Sequence, residues 1–242
     1  MNKKKLMKDK SLSDIVNENY HAADLLYKYE IDYYCHGYQS LSDACGKSGV
    51  GLEKVISELE ALPNSERTKS EDVTKWSIPF LINFIENTHH KFVRDKNDKI
   101  SRIAASISKN YKSDNPELES IYENFLLLIQ EVDRHMNEEE SRVFPLIKEL
   151  AYEADEFGEP TLQTISVFND EIERLKNEHE IAIQMLMELK KVSNNFEIPE
   201  HSSQSVIEFY QSLINFEKDL HRHIHLETNV LFKKAENLIH DN

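Results

Sequence analysis

Glycine, proline and cysteine are scarce in this sequence, and each shortage argues against a class of structure. Among 242 residues there are 5 Gly, 6 Pro and 2 Cys. So few glycines and prolines leave few places where regular structure must break, which favours long helices. Two cysteines cannot build the disulfide framework of a small secreted protein, so we expect a reducing, cytoplasmic location.

Long apolar runs are also missing. No stretch approaches the roughly 18 uninterrupted apolar residues of a membrane-spanning helix, so we expect no membrane partner. The N-terminal segment MNKKKLMKDKSLSD is basic, but no apolar run follows it, and it therefore differs from a signal peptide.

Basic residues are outnumbered by acidic ones. The chain has 29 Lys and Arg against 44 Asp and Glu, which gives a formal net charge of −15. Nucleic-acid phosphates and anionic lipids select basic surfaces, so we expect neither as a partner. Cations are the small partners that such a charge favours. The apolar fraction of 39% is sufficient for a packed core.

The pattern along the chain divides it into four segments. Residues 1–10 form a lysine-rich flexible tail, residues 11–61 a small helical N-terminal domain that contains Cys35, and residues 62–76 a polar linker without periodicity. Residues 77–242 carry the longer helical patterns. We therefore expect two domains joined by a linker.

Three stretches of the C-terminal segment have apolar residues at steps of three and four, which is typical of bundle helices that bury one stripe. The stripes run from Ile121 to Leu146, from Ile165 to Leu189 and from Val206 to Val230. An earlier helix, at about residues 76–95, completes a set of four, and short connections make neighbours antiparallel. The sequence therefore predicts an all-α fold, an up-down four-helix bundle preceded by a small helical domain.

Histidine occupies a core position in each of these three stripes. His135, His179 and His223 stand where leucine is expected, and Glu139 and Glu227 follow two of them by one turn. Residues four apart share a helix face, so each His-x-x-x-Glu pair directs two donors to one place. A buried carboxylate is costly unless something compensates it. Imidazole and carboxylate donors that converge inside a bundle suit a pair of Fe, Mn or Zn ions.

The first helix offers two candidates, His89 and His90. Steps of three and four from Ile78 to Ile85 continue to His89, so periodicity favours His89. Glu86-x-x-His89 is also the pair used in ferritin-like di-iron sites, but those sites need a second such pair, and none lies in register.

These residues resemble a known family. Residues 80–235 are similar to a hemerythrin-like domain, and residues 11–235 resemble the iron–sulfur cluster repair di-iron proteins, the RIC family, in which an ScdA-type domain precedes the bundle. The resemblance rests on the motifs IDYYCHGYQSLSDAC, LINFIENTHHKFVRD, HMNEEESRVFP, LKNEHEIA and HRHIHLETNVLF.

The resemblance implies a non-haem di-iron centre held by four histidines and two bridging glutamates. Carried over to this sequence, the iron ligands are His90, His135, Glu139, His179, His223 and Glu227. The family pattern has an arginine four residues after the first ligand, so Arg94 selects His90, with His89 as the alternative. Oxygen-carrying hemerythrins have a further histidine where this chain has Ile183, which implies a looser hold on iron here.

Three further residues are candidates for function. The resemblance places Glu131 and Glu178 near the metals, to relay protons or to open an exit path for iron; exposed glutamates fit the pattern equally well. Cys35 lies in the tripeptide Cys-His-Gly, at a place where members of the family that this chain resembles have Cys-Cys-Gly. It is either a reactive thiol that contacts a damaged cluster or a structural residue of the turn.

The neighbours of these candidates are expected to lie elsewhere. His221 and His225 flank His223 by two positions, so we expect them to face solvent. Glu138 and Glu140 flank Glu139 and are also expected to face solvent. Spacing places Cys45 in the core of the small domain.

The resemblance implies a cytoplasmic protein that repairs iron–sulfur clusters damaged by nitric oxide or oxidants, by donating iron. Its partners would be damaged iron–sulfur proteins, small gases such as nitric oxide or oxygen, and a second copy of the chain in a homodimer. The alternative is a di-iron oxidoreductase or a sensor that acts on nitric oxide or oxygen. The sequence leaves open whether the protein is an enzyme.

Overall fold

The computed structural model describes residues 7–63, 72–111 and 116–240. Over these ranges the regular elements are helices, and no strand occurs, which confirms the predicted all-α class. Parts of three predicted segments lie outside the described residues: positions 1–6 of the tail, positions 64–71 of the linker, and positions 112–115 and 241–242 of the C-terminal segment. The boundaries 1–10, 11–61, 62–76 and 77–242 stay a prediction.

Two compact units can be distinguished. The terminal unit comprises Met1–Leu81 and His221–Asp241, and the central unit comprises Ile82–Leu220. Among the described residues, no helix combines the length and the apolar character that crossing a bilayer requires.

The terminal unit begins with four short helices: α1 (Leu12–Glu18), α2 (His21–Lys28), α3 (Leu41–Ser48) and α4 (Leu52–Ala61). Serine starts two of them, because the side chains of Ser11 and Ser40 accept hydrogen bonds from the amides of Asp14 and Asp43. Gly49 ends α3 in the left-handed conformation that favours glycine. Buried leucine, isoleucine and alanine side chains form one core between these helices.

Four long helical rods follow, and three of them contain a π-helical turn. The first rod is α5 (Ile78–Ile85), π1 (Glu86–His90) and α6 (Lys91–Tyr111); a short 3-10 turn, Val73–Lys75, precedes it. The second is α7 (Pro116–Glu138), π2 (Glu139–Val143) and α8 (Phe144–Phe157). The third is α9 (Leu162–Val192). The fourth is α10 (Gln204–Leu226), π3 (Glu227–Leu231) and α11 (Phe232–His240).

The central unit is a helical bundle in which all four rods take part. The rings of Phe125 in α7 and Phe216 in α10 meet edge to face, with centroids 5.6 Å apart. Lys190 in α9 pairs with the buried Glu217 in α10 at 2.9 Å. The predicted helical bundle with a small helical domain before it is therefore confirmed.

The π turns coincide with the candidate metal ligands. His90 ends π1, Glu139 begins π2 and Glu227 begins π3. A π turn inserts extra residue length into the helix and changes the direction in which the following side chains point. A count in steps of three and four assumes a regular helix, and it therefore cannot decide between His89 and His90.

In the terminal unit, the Cys35–Gly37 turn lies directly against the Asn229 side chain. The Asn229 amide donates to the carbonyl oxygens of Tyr34, at 2.7 Å, and Tyr33, at 3.3 Å. A Cβ atom added to Gly37 would lie 2.4 Å from Asn229 Oδ1, which is closer than real contacts allow. Glycine is required here by close approach, not by an unusual backbone conformation.

Replacing Gly37 with alanine should therefore destabilise the protein. We expect Gly37→Ala to lower the free energy of unfolding by about 1–3 kcal/mol, the usual cost of overpacking. Gly46→Ala is the matched control, because Gly46 lies in α3 with nothing within 4 Å of its added Cβ. Denaturant unfolding measures both. Equal stability of the two variants would contradict the steric argument.

Candidate metal centre

Four of the predicted ligands are buried in the central unit. The exposed fractions are 0% for His90 and Glu139, 3% for His179 and 6% for His135. Ligand atoms of His135, Glu139 and His179 all lie within 4.8 Å of one another, and so do those of His90 and Glu139. Titratable groups so deep in a bundle need compensation, and a bound cation supplies it.

Glu139 lies between two histidines and turns a different oxygen to each. Its Oε1 is 3.2 Å from His135 Nε2, and its Oε2 is 3.5 Å from His90 Nε2. A carboxylate that bridges two metal ions uses its two oxygens in this way. The positions of the two imidazoles fit one metal ion on each side of Glu139.

His135 and His179 face each other with the same ring nitrogen. Their Nε2 atoms are 3.0 Å apart and the ring planes are inclined by 63°. Two imidazole nitrogens directed at one point, next to a carboxylate oxygen, form the donor set that Fe, Mn or Zn prefers.

A carboxylate holds the opposite nitrogen of two of these histidines. His135 Nδ1 hydrogen bonds to Glu178 Oε2 at 2.7 Å, and His90 Nδ1 hydrogen bonds to Glu140 Oε1 at 2.7 Å. Such a partner fixes the ring orientation and leaves Nε2 as the metal-facing atom.

Both of these carboxylates stay ionised. Burial raises the pKa of Glu178, but the hydrogen bond from His135 and the charges of His135, Arg174 and Arg134 outweigh burial and lower this pKa to about 2. Burial likewise opposes ionisation of Glu140, yet the hydrogen bonds from Arg94 and His90 lower its pKa below the ordinary value. Each is a hydrogen-bond acceptor at neutral pH.

The terminal unit contains the remaining predicted pair. His223 Nε2 is 2.7 Å from Glu227 Oε1, and these residues are 1% and 0% exposed. The spacing of four residues therefore brings both donor atoms together, as the sequence predicts.

The alternative first-helix residue has a different partner. His89 is also buried, but its Nδ1 lies 3.0 Å from Asp219 Oδ1. Glu131, by contrast, pairs with Arg134 at the surface. The structure thus places Glu178, but not Glu131, in contact with a candidate ligand.

Two expectations about neighbouring residues are wrong. His221 and His225 are not solvated but 6% and 1% exposed, because elements of the terminal unit cover them. The His221 ring stacks on Tyr34 with centroids 3.8 Å apart. His225 Nε2 hydrogen bonds to Asn17 at 3.1 Å, and burial lowers the pKa of His225 to about 4.

The expectation for Glu140 is wrong as well. Its side chain is 30% exposed, but it contacts His90 and accepts from Arg94 Nη1 at 2.8 Å. Glu138, 32% exposed, pairs with Arg134 and Arg174. Counting along one helix could not reveal the contacts of Glu140 with His90 and Arg94, or that of Glu138 with Arg174, because these partners belong to other helices. The pair of Glu138 with Arg134, four residues earlier in α7, is within reach of such a count.

Cys35 is half-buried, and its amide donates to Asp32 Oδ1 at 2.9 Å. His36, the next residue, pairs with the same aspartate through Nδ1 at 2.6 Å. Cys45 is 1% exposed in the core of the small helices, as predicted. Burial raises the pKa of the Cys45 thiol.

Comparison with known proteins identifies the family. The model of the hemerythrin HHE cation binding domain matches residues 81–235, more than half of the chain. The chain belongs to the hemerythrin HHE family. A domain of unknown function, ScdA_N, matches residues 8–63 of this hemerythrin-like protein.

Relatives resemble the chain over nearly its whole length. The iron-sulfur cluster repair protein ScdA of Staphylococcus haemolyticus is 26% identical over 223 residues, which cover 92% of this chain and 96% of that protein. The iron-sulfur cluster repair protein YtfE of Citrobacter koseri is 27% identical over 229 residues, 94% of this chain and 97% of that protein. The resemblance inferred from the motifs is confirmed.

The donor set fits the metal that this family implies. A cation-binding domain with buried histidines, a carboxylate between two of them, and ionised carboxylates behind their outer nitrogens is consistent with a non-haem di-iron centre.

The two cysteines should differ in reactivity. We expect a thiol reagent to label Cys35 rapidly in the native protein and Cys45 only after unfolding, because burial shields Cys45 and disfavours its thiolate. Cys45→Ala should keep the fast phase, and Cys35→Ser should lose it. Labelling of Cys45 first in the native protein would contradict this assignment.

Proposed function

We propose that this protein holds two iron ions and repairs damaged iron–sulfur clusters by donating iron. The proposed ligands are His90, His135, Glu139, His179, His223 and Glu227. The observation that carries the proposal is the position of Glu139, with one oxygen toward His135 and the other toward His90.

The chain's own groups hold these ligands ready. Glu178 and Glu140 keep the outer nitrogens of His135 and His90 occupied, so that Nε2 is the nitrogen left for iron. When bound, the iron pair supplies a source of iron and a centre for reaction with small molecules. Ile183, one turn after His179, offers no donor atom, which favours release of iron over a fully ligated, firmly held centre.

Repair as the purpose of this iron is supported by two relatives. Both the Staphylococcus haemolyticus and the Citrobacter koseri proteins are named iron-sulfur cluster repair proteins, and both align over more than nine-tenths of this chain. We propose the same role here, in the cytoplasm, on clusters damaged by nitric oxide or oxidants. The clients are damaged iron–sulfur proteins, and Cys35 in its turn contacts the client or a second subunit.

The choice between His90 and His89 is tested by iron binding. His90 Nε2 faces Glu139, whereas His89 pairs with Asp219. We expect His90→Gln to lose about half or more of the bound iron, since removing a ligand leaves one ion with an open, weakly held position. His89→Gln should keep the iron content of the wild type.

Iron content by elemental analysis and the absorption spectrum give the answer, with circular dichroism to verify folding. Loss of iron in folded His89→Gln together with retention in His90→Gln would reverse the assignment. A folded wild-type protein that takes up no iron under anaerobic loading would remove the basis of the proposal.

The repair role is tested by iron transfer. Wild-type protein loaded with 57Fe should restore activity to an aconitase whose cluster was damaged by nitric oxide, and the label should appear in the aconitase cluster. Iron-free protein is the control. Recovery without transfer of label, or turnover of nitric oxide with an electron donor and no recovery, would instead favour the oxidoreductase alternative.

A further inference from the structure

A network of arginines and glutamates joins α7 and α9 beside His135. Arg174 in α9 pairs with Glu171 and Glu178 in its own helix and with Glu138 in α7. Arg134 in α7 pairs with Glu138 and, at 3.3 Å, with Glu178. The network therefore reaches the carboxylate that supports a proposed iron ligand.

The two oxygens of Glu178 have separate tasks. Oε2 accepts a hydrogen bond from His135 Nδ1, and Oε1 forms ion pairs with both Arg174 Nη1 and Arg134 Nη2. The side chain is 11% exposed, so little room is left for water to replace an arginine. Both guanidinium groups act on the oxygen that does not face the histidine.

The histidine on the other side of Glu139 is supported differently. At His90, a single arginine, Arg94, donates to Glu140, and it does so on the same oxygen that accepts from His90. His135 therefore has a carboxylate fixed from two helices, whereas His90 has one fixed by a single guanidinium.

We propose that Arg174 is a positioning residue that holds Glu178 against His135 and thereby sets how firmly the iron beside His135 is retained. This inference rests on the proposed function, because it concerns the same di-iron site. In the described part of the chain, the ion pairs of Arg174 go to Glu138, Glu171 and Glu178 and to none of the proposed ligands, and we expect its effect on His135 to pass through Glu178.

Two effects of Arg174 oppose each other, and geometry decides between them. The guanidinium of Arg174 withdraws electron density from the Glu178 carboxylate, and this weakens the hydrogen bond that Glu178 accepts from His135. Without Arg174, however, Oε1 loses its shorter ion pair and keeps only Arg134 at 3.3 Å, so the carboxylate is held less firmly against His135. A misplaced second partner of a metal-bound histidine typically costs tenfold or more in metal affinity.

The experiment compares Arg174→Gln with Arg142→Gln. Arg142 belongs to the same network, pairing with Glu138 and Glu171, but it has no contact with Glu178. We expect Arg174→Gln to release iron to a chelator about tenfold faster in one kinetic phase, while Arg142→Gln matches the wild type. Arg174→Lys should recover part of the loss, because an ammonium replaces the charge but not the planar pair of donors.

A second measurement needs no metal. In long-range 1H–15N spectra of the iron-free protein, the wild-type His135 ring should carry its proton on Nδ1, and Arg174→Gln should shift His135 toward the other tautomer, with His90 unchanged. Release rates and a His135 tautomer that remain those of the wild type in Arg174→Gln, or a change of the same size in Arg142→Gln, would overturn the inference. A wild-type protein with the expected tautomer but no iron uptake would instead overturn the proposed function, and with it the role in iron retention.

Discussion

The burial of Glu139 constrains the rest of the central unit. A carboxylate with no solvent exposure, such as that of Glu139, is costly in a bundle unless opposite charge or hydrogen bonds compensate it. His90 and His135 lie on its two sides, from different helices, and each has an ionised carboxylate behind its outer nitrogen. Several buried polar groups therefore converge around Glu139. Apolar packing does not explain this convergence, whereas a bound pair of cations does.

The helices depart from regular α-helical geometry at the proposed ligands. Three of the four rods contain a π turn, and each of these turns begins or ends at a proposed ligand: His90, Glu139 or Glu227. A π turn weakens the regular hydrogen-bond ladder and persists when other interactions compensate the cost. The ligand directions are therefore set by local departures from the α-helix, which a sequence pattern with constant period cannot represent.

The π turns also determine which parts of the structure could be predicted from the sequence. His135, His179 and His223 themselves lie in regular α-helix, and there the spacing predicted both the fold class and the pairing of His223 with Glu227. The choice between His89 and His90 falls in a π turn, so it needed the family motif with Arg94. Contacts between helices, such as those of Glu140 with His90 and of Glu178 with Arg134, depend on packing and could not be counted along one helix.

The fourth rod shows why the predictions for His221 and His225 failed. A bundle helix usually keeps one polar face for solvent, so histidines opposite a buried pair are expected to be exposed. In the terminal unit that opposite face is covered as well: His221 stacks on Tyr34, and Asn229 holds the carbonyl oxygens before Cys35. The segment that carries His223 and Glu227 therefore also supports the turn that contains Cys35.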